Sequence, residues 1–255
     1  MKLITFVLSA FFALTVQATS IVLTEANSVS INQEISSEFV ASKQLEAFNK
    51  ASKLKAGDDL YLVLYTPGGS VLAGMLFIDT MKALKVKVHT ITIFAASMGY
   101  QIAENLGTRY MLGSGILMSH RGAVGGVSGQ INGELNSRVQ FYTDISNRLD
   151  SIVAKRVGTS LKAYQDSIVN ELWLTSDKAV ASNHADEIAE VSCDQKLIDG
   201  KVEEKVYTMF GAVDVTFSAC PLITDPLSVK SSNSRAKARV KQFYANMAGF
   251  IKTKL

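Results

Sequence analysis

The sequence predicts an α/β fold with a largely parallel sheet, and three observations carry that prediction. Residues 60–65 (LYLVLY) form an apolar run of the kind a strand buried on both faces requires. A helical pattern and then an alternating pattern follow it, giving the strand-helix-strand order of parallel sheets. The 255 residues are 47% hydrophobic and 19% charged, enough to bury a substantial core without metals or many disulfides. Three prolines (Pro67, Pro221, Pro226) exclude a proline-rich stalk.

The elements follow in order. Lys2 precedes an almost unbroken apolar stretch from Leu3 to Val16, and residues 16–18 (VQA) put small side chains where signal peptidase reads them. Residues 1–18 therefore read as an export signal, with the mature chain starting near Thr19 in the periplasm or outside the cell. An uncleaved anchor is the alternative, but a span needs about 20 apolar residues. Ser28–Ile31 and a helix over Glu38–Leu54 lead into the apolar run, which stops at residues 66–70 (TPGGS). A helix over Val71–Leu84 and an alternating strand over Lys85–Phe94 come next. Residues 95–99 (AASMG) turn into a short helix carrying Met98, Ile102 and Leu106 on one side, with Gly107 as its stop. Arg109–Leu112 and Ile116–Ser119 read as further strands.

Glycines 122, 125, 126, 129 and 133 leave a lightly decorated backbone that another chain could pair with. The apolar stripe from Leu135 to Val153 then predicts a helix of about 25 residues, near 38 Å, too long for a simple crossover. Glu203–Ala219 reads as a hairpin folded at Gly211, bracketed by Cys193 and Cys220. In an oxidising compartment such a lone pair closes as a structural disulfide, with two unrelated buried thiols as the alternative. Three scattered histidines and no Cys-x-x-Cys suggest no metal site, and nothing calls for a cofactor.

The net charge of +3 is too small to make the whole protein a nucleic-acid binder. It hides an asymmetry, because residues 229–255 carry seven Lys/Arg and no Asp/Glu, so the remainder is net acidic. Within that tail, Val240, Phe243, Tyr244, Met247, Phe250 and Ile251 fall at helical spacing beside lysines. The pattern fits either membrane-surface contact or packing onto a neighbouring subunit. The chain thus divides into a signal (1–18), a main domain (19–190), a hairpin extension (191–228) and a basic amphipathic tail (229–255).

Three features converge on acyl transfer. Ser97 follows a buried strand and opens a helix, where the helix dipole and free N–H groups favour developing negative charge. An N-cap serine would occupy the same position. His120 ends a strand, where parallel sheets place functional groups. The glycines at 68 and 69 let backbone N–H groups approach an oxyanion, although a tight strand-to-helix turn uses glycine as well.

The runs 65–74 (YTPGGSVLAG), 79–81 (DTM), 95–99 (AASMG), 109–112 (RYML) and 118–120 (MSH) resemble, in order and spacing, the Clp protease proteolytic subunit. The resemblance covers about Ser28 to Glu190, including residues 125–130 (GGVSGQ) and the long helix. It implies a crotonase-like fold with Ser97 as nucleophile, His120 as general base, and the N–H groups of Gly69 and Met98 as oxyanion hole. A glycine-rich strand containing Gly125 and Gly126 would hold a peptide by β-pairing, and the long helix would be the handle of a stacked-ring homo-oligomer. The family's acid lies two residues before an aromatic opening a Phe-(Leu/Met)-(Ser/Thr)-Ala stretch. Residues 173–176 (WLTS) match that stretch, so the acid position falls on Glu171, with Asn170 beside it as a substitute orienter.

The resulting expectation is a serine peptidase acting on short or unfolded peptides, exported and therefore without ATP or an unfoldase. A catalytically inactive scaffold or peptide-binding relative is the alternative that the altered acid position permits. A signal-peptide-peptidase-like enzyme of the same fold would use a Ser-Lys dyad, which His120 argues against. A crotonase-type acyl-CoA enzyme would rarely meet its substrate after export.

Overall fold

The computed structural model describes residues 19–125 and 127–254; the stretch read as an export signal (1–18) and Gly126 lie outside the described residues. After β1 (Ser20–Leu23), the central sheet begins with β2 (Ser28–Ile31), followed by α1 (Ser37–Ala51), β3 (Asp59–Thr66), α2 (Val71–Lys82), β4 (Lys87–Ala96), α3 (Met98–Asn105) and β5 (Arg109–Ser119). The strands run β2-β3-β4-β5, all parallel. An antiparallel edge strand, β6 (Leu172–Thr175), completes that row beside β5, and β7 (Glu187–Ile188) pairs with the opposite end of β5. The two strands expected over 109–119 are one element, whose pairing with β4 lapses between Met111 and Ile116.

Period-two alternation explains why residues 60–65 are apolar throughout. Leu60, Leu62 and Leu64 face α1, α2 and α3 in the principal core. Val63 and Tyr65 face the other way, into clusters formed with β1 and the C-terminal residues. Each such buried side chain contributes roughly 1.5–3 kcal/mol relative to exposure. A strand with only one covered face would tolerate polar residues at alternate positions, and β3 does not.

The covering layer on that second face is the C-terminal extension. β8 (Glu190–Cys193) pairs in parallel with β1, so the extension is stitched to the start of the described chain. Past α7 (Gln195–Asp199), the hairpin expected near Gly211 forms as β9 (Lys201–Thr208) and β10 (Gly211–Ser218), and β11 (Ser228–Lys230) adds a third antiparallel strand. Cys193 and Cys220 form a disulfide, S–S 2.04 Å with Cα atoms 5.9 Å apart. The tail is α8 (Ser234–Lys254), and its Val240, Tyr244 and Met247 are buried against β10, Tyr65 and Phe94 of the same chain. Intramolecular packing thus takes up residues that the sequence reading offered to a membrane surface or a neighbouring subunit.

The long helix is α4 (Glu134–Val157), 24 residues, followed by α5 (Leu161–Ser167) and, after β6, α6 (Ser176–Ala181). Its C-terminal third packs through Leu149, Val153 and Ala154, while Val139, Phe141 and Tyr142 stay exposed. Among the described residues 121–130 there is no strand, contrary to the glycine-rich strand expected there. Glycine loses more backbone freedom on ordering than other residues, and this chain supplies the segment with no strand to pair with. Among the described residues, no helix is long and apolar enough to cross a membrane.

Candidate active site

Parallel pairing sets the site, because Ala96 is in register with Met118, so the residues just beyond the two strand ends come side by side. Ser97 occupies the sharp turn from β4 into α3 with φ 55° and ψ −118°, a backbone region that non-glycine residues seldom adopt. Its N–H donates to Met118 O at 2.9 Å and its carbonyl accepts from Gln101 N at 3.2 Å, which hold the turn from both ends. The side chain makes no capping hydrogen bond. Instead Ser97 Oγ lies 2.8 Å from His120 Nε2. Ser119, next to His120, is anchored by a 2.8 Å hydrogen bond between its hydroxyl and that of Tyr164, whose phenol burial pushes up to about 12.

The glycine turn is built around the same serine. Gly68, at φ +93°, lies so close that an added Cβ would sit 2.6 Å from Ala96 O and 2.6 Å from Ser97 Cβ. Gly69, at φ +145°, instead abuts the backbone of Ile35, where a Cβ would meet the carbonyl oxygen at 2.5 Å. Ile35 N donates to Gly68 O and Ser70 N donates to Ile35 O, at 2.8 and 2.7 Å, so the turn is clamped. Thr66 Oγ1 accepts from Gly68 N at 3.1 Å and donates to Gln33 O at 2.6 Å. The amides of Gly69 and Met98 enter none of the turn and loop hydrogen bonds among the described residues. Met98 N also opens a helix, where no intrahelical carbonyl reaches it.

The far end of α3 is fixed independently. Arg109 donates to Glu104 Oε2 and to Asp186 Oδ1, each at 2.6 Å, in an almost fully buried pair and its half-exposed neighbour. Arg156 donates to the carbonyls of Glu104, Leu106 and Gly107 where the helix ends. Such networks are strong evidence of position and weaker evidence of net stability.

The acid position is arranged differently. Glu171 is exposed, at φ 65°, and its Oε2 accepts a 2.8 Å hydrogen bond from Trp173 Nε1. Among the described residues, the only side-chain hydrogen bond of His120 is the one with Ser97, so neither Glu171 nor Asn170 holds the imidazole in this conformation. Gly125 lines the cavity in front of Ser97, and Gly126 lies outside the described residues. Cys193 and Cys220 sit in the cluster on the opposite sheet face and have no part in the site.

Sequence reasoning named both glycines of the turn but overlooked Gln101 and Asp150. Gly68, rather than Gly69, is the glycine that Ser97 packs against. Gln101 lies four residues after Ser97, hence on the same side of α3. Asp150 interrupts the apolar stripe of α4 beside Leu149, a charged residue at a buried position. Both line the cavity of about 360 Å³ in front of Ser97 and His120.

The site of this α/β protein is thus a serine on a sharp strand-to-helix turn, hydrogen-bonded to a histidine at the end of the adjacent parallel strand. A profile of the Clp protease family matches residues 14–192, and the chain belongs to that family. ATP-dependent Clp protease proteolytic subunits of Streptococcus pyogenes serotype M5 (strain Manfredo) and Streptococcus equi subsp. equi (strain 4047) are each 33% identical over 135 residues, 52% of this chain and 69% of theirs. Family membership supports a peptidase.

Proposed function

We propose that the protein is a serine endopeptidase that hydrolyses short or unfolded peptides. The observation that carries this reading is the 2.8 Å contact between Ser97 Oγ and His120 Nε2 at a strained turn where the serine caps nothing. In this mechanism His120 takes the Ser97 proton as Oγ attacks the scissile carbonyl, and later returns a proton to the leaving amine. The N–H groups of Gly69 and Met98 hold the oxyanion, Glu171 swings from Trp173 to orient His120, and the segment at Gly125 and Gly126 receives the peptide backbone. Export is supported by the apolar stretch of residues 3–16 and by the disulfide, and an exported enzyme works without ATP or an unfoldase. The exposed Val139, Phe141 and Tyr142 on the projecting part of α4 support a homo-oligomer built through that helix.

A fluorophosphonate probe, which acylates only an activated serine, tests the assignment. Labelling and peptide hydrolysis are both expected of the mature protein, and both should vanish in Ser97→Ala. Hydrolysis retained by a clean Ser97→Ala preparation would overturn it. The second reading, an inactive peptide-binding scaffold, is favoured by the engagement of Glu171 with Trp173, and an unlabelled wild-type protein would select it.

A further inference from the structure

The cavity in front of Ser97 has apolar walls and an acidic end. Leu72 and Leu149 line it together with Ser97 and His120; Ser70, Gln101 and Ser146 are its further polar residues and Asp150 is its one carboxylate. Asp150 is 7% exposed. Gln165 Nε2 donates to its Oδ2 at 3.1 Å, and among the described residues nothing donates to Oδ1. Gln101, 9% exposed, has its Oε1 enclosed with no hydrogen-bond partner. A largely buried carboxylate thus lines the space in front of the nucleophile with one oxygen open to a donor.

The charge balance points the same way. At Glu46 the rise expected from burial is outweighed by Lys43 and Lys50, and at Asp186 by Arg109, so both carboxyls lie below their ordinary range. At Asp150 burial prevails and the carboxyl is pushed up, although Gln165 and the more distant charge of Arg121 oppose it. Arg121 is exposed, and it acts on Asp150 as a nearby charge without a hydrogen bond to it. A largely buried carboxylate without a contacting cation is an uncompensated charge that a ligand cation would pair.

We propose that this cavity takes the side chain of the residue on the acyl side of the scissile bond and that Asp150 selects lysine or arginine there. The aliphatic stem of either residue packs along Leu72 and Leu149 while its cationic end donates to Asp150 Oδ1. The inference rests on Ser97 being the nucleophile, since only then does the cavity lie where that side chain is delivered.

The test uses the mature full-length protein and matched fluorogenic peptides that differ only in lysine, arginine, leucine or glutamate before the scissile bond. Fluorophosphonate labelling is run in parallel as a separate report on the nucleophile. Wild-type kcat/KM should favour lysine and arginine over leucine by at least about tenfold, and Asp150→Asn should lower that ratio by about 100-fold, as expected for unpairing a buried charge. Asp150→Leu, which replaces the carboxylate by an apolar group of similar size, should move the ratio in the same direction, and it serves as the second variant should Asp150→Asn fail to fold. A labelled enzyme that prefers leucine, or whose preference survives both substitutions, overturns the specificity proposal alone. Absence of both labelling and hydrolysis in the wild type overturns it together with the peptidase reading.

Discussion

The two halves of the candidate triad are held by different kinds of structure. Ser97 and His120 extend from adjacent parallel strands buried on both faces, and backbone hydrogen bonds to Met118, Ile35 and Gln101 fix the turns around them. Glu171 stands in an exposed connection between α5 and β6, where one hydrogen bond from Trp173, two residues along, determines its direction. Moving Ser97 would disturb the core, whereas redirecting Glu171 costs one exchangeable hydrogen bond, a net of about 1 kcal/mol. The proposed nucleophile and base are therefore held in place by the fold, and completion of the proposed triad would be a local event at the sheet edge.

The largest effect tests whether that local event occurs during turnover. Glu171→Ala should lower kcat by about 1,000-fold if the carboxylate orients His120 in the reacting complex. Asn170→Ala should change it by no more than about threefold, since surface substitutions away from such contacts are nearly neutral. The opposite ranking in steady-state peptide hydrolysis would transfer the orienting role to Asn170, and two near-neutral variants would leave a Ser-His dyad.

Gly68→Ala probes the other half. Its Cβ would come within 2.6 Å of Ala96 O and Ser97 Cβ at a φ that disfavours any side chain. Because misplacing a reacting group by 1 Å can cost about 100-fold, a loss of that order in kcat is expected while the far-ultraviolet circular dichroism is retained. Unchanged kcat would show that the turn relaxes without moving Ser97. Trp173→Phe acts on the acid side with the opposite sign. Deleting Nε1–H frees Glu171, and a net hydrogen bond of about 1 kcal/mol sets the expected rise in kcat at about fivefold at most. A fall in kcat would mean that Trp173 supports the productive position of Glu171.

Much of this division was legible in the sequence. A strand apolar at every position, LYLVLY, announced burial on both faces, and AASMG announced a serine at a strand-to-helix turn. What covers the second face was not legible, because residues 191–255 look like an addition until β8 is seen beside β1 and Met247 beside Tyr65. The direction of Glu171 was equally hidden, since it depends on which of two nearby hydrogen-bonding groups the side chain meets. Gln101 and Asp150 left a weak signal, a polar residue four positions past the serine and a charge inside an apolar stripe. Their significance appears only when α3 and α4 are brought to the same cavity.

The smallest effect on catalysis is expected at the disulfide, and it tests whether the extension supports the fold without tuning the site. Cys193 and Cys220 are separated by 27 positions and tie β8 to the segment just beyond β10, on the sheet face opposite α3. Opening a loop of that length removes roughly 3.5 kcal/mol of stabilisation in the chain-entropy account. The paired Cys193→Ser and Cys220→Ser variant should therefore unfold at lower denaturant concentration. Its kcat below the unfolding transition should match the wild type within about twofold, since the backbone contacts that hold the turns around Ser97 come from β5, α3 and the Ile35 segment. A large fall in kcat in protein still folded by circular dichroism would show that the second face transmits strain to Ser97. The contrast between a core-held dyad and a locally held acid would then have to include the extension as a third determinant.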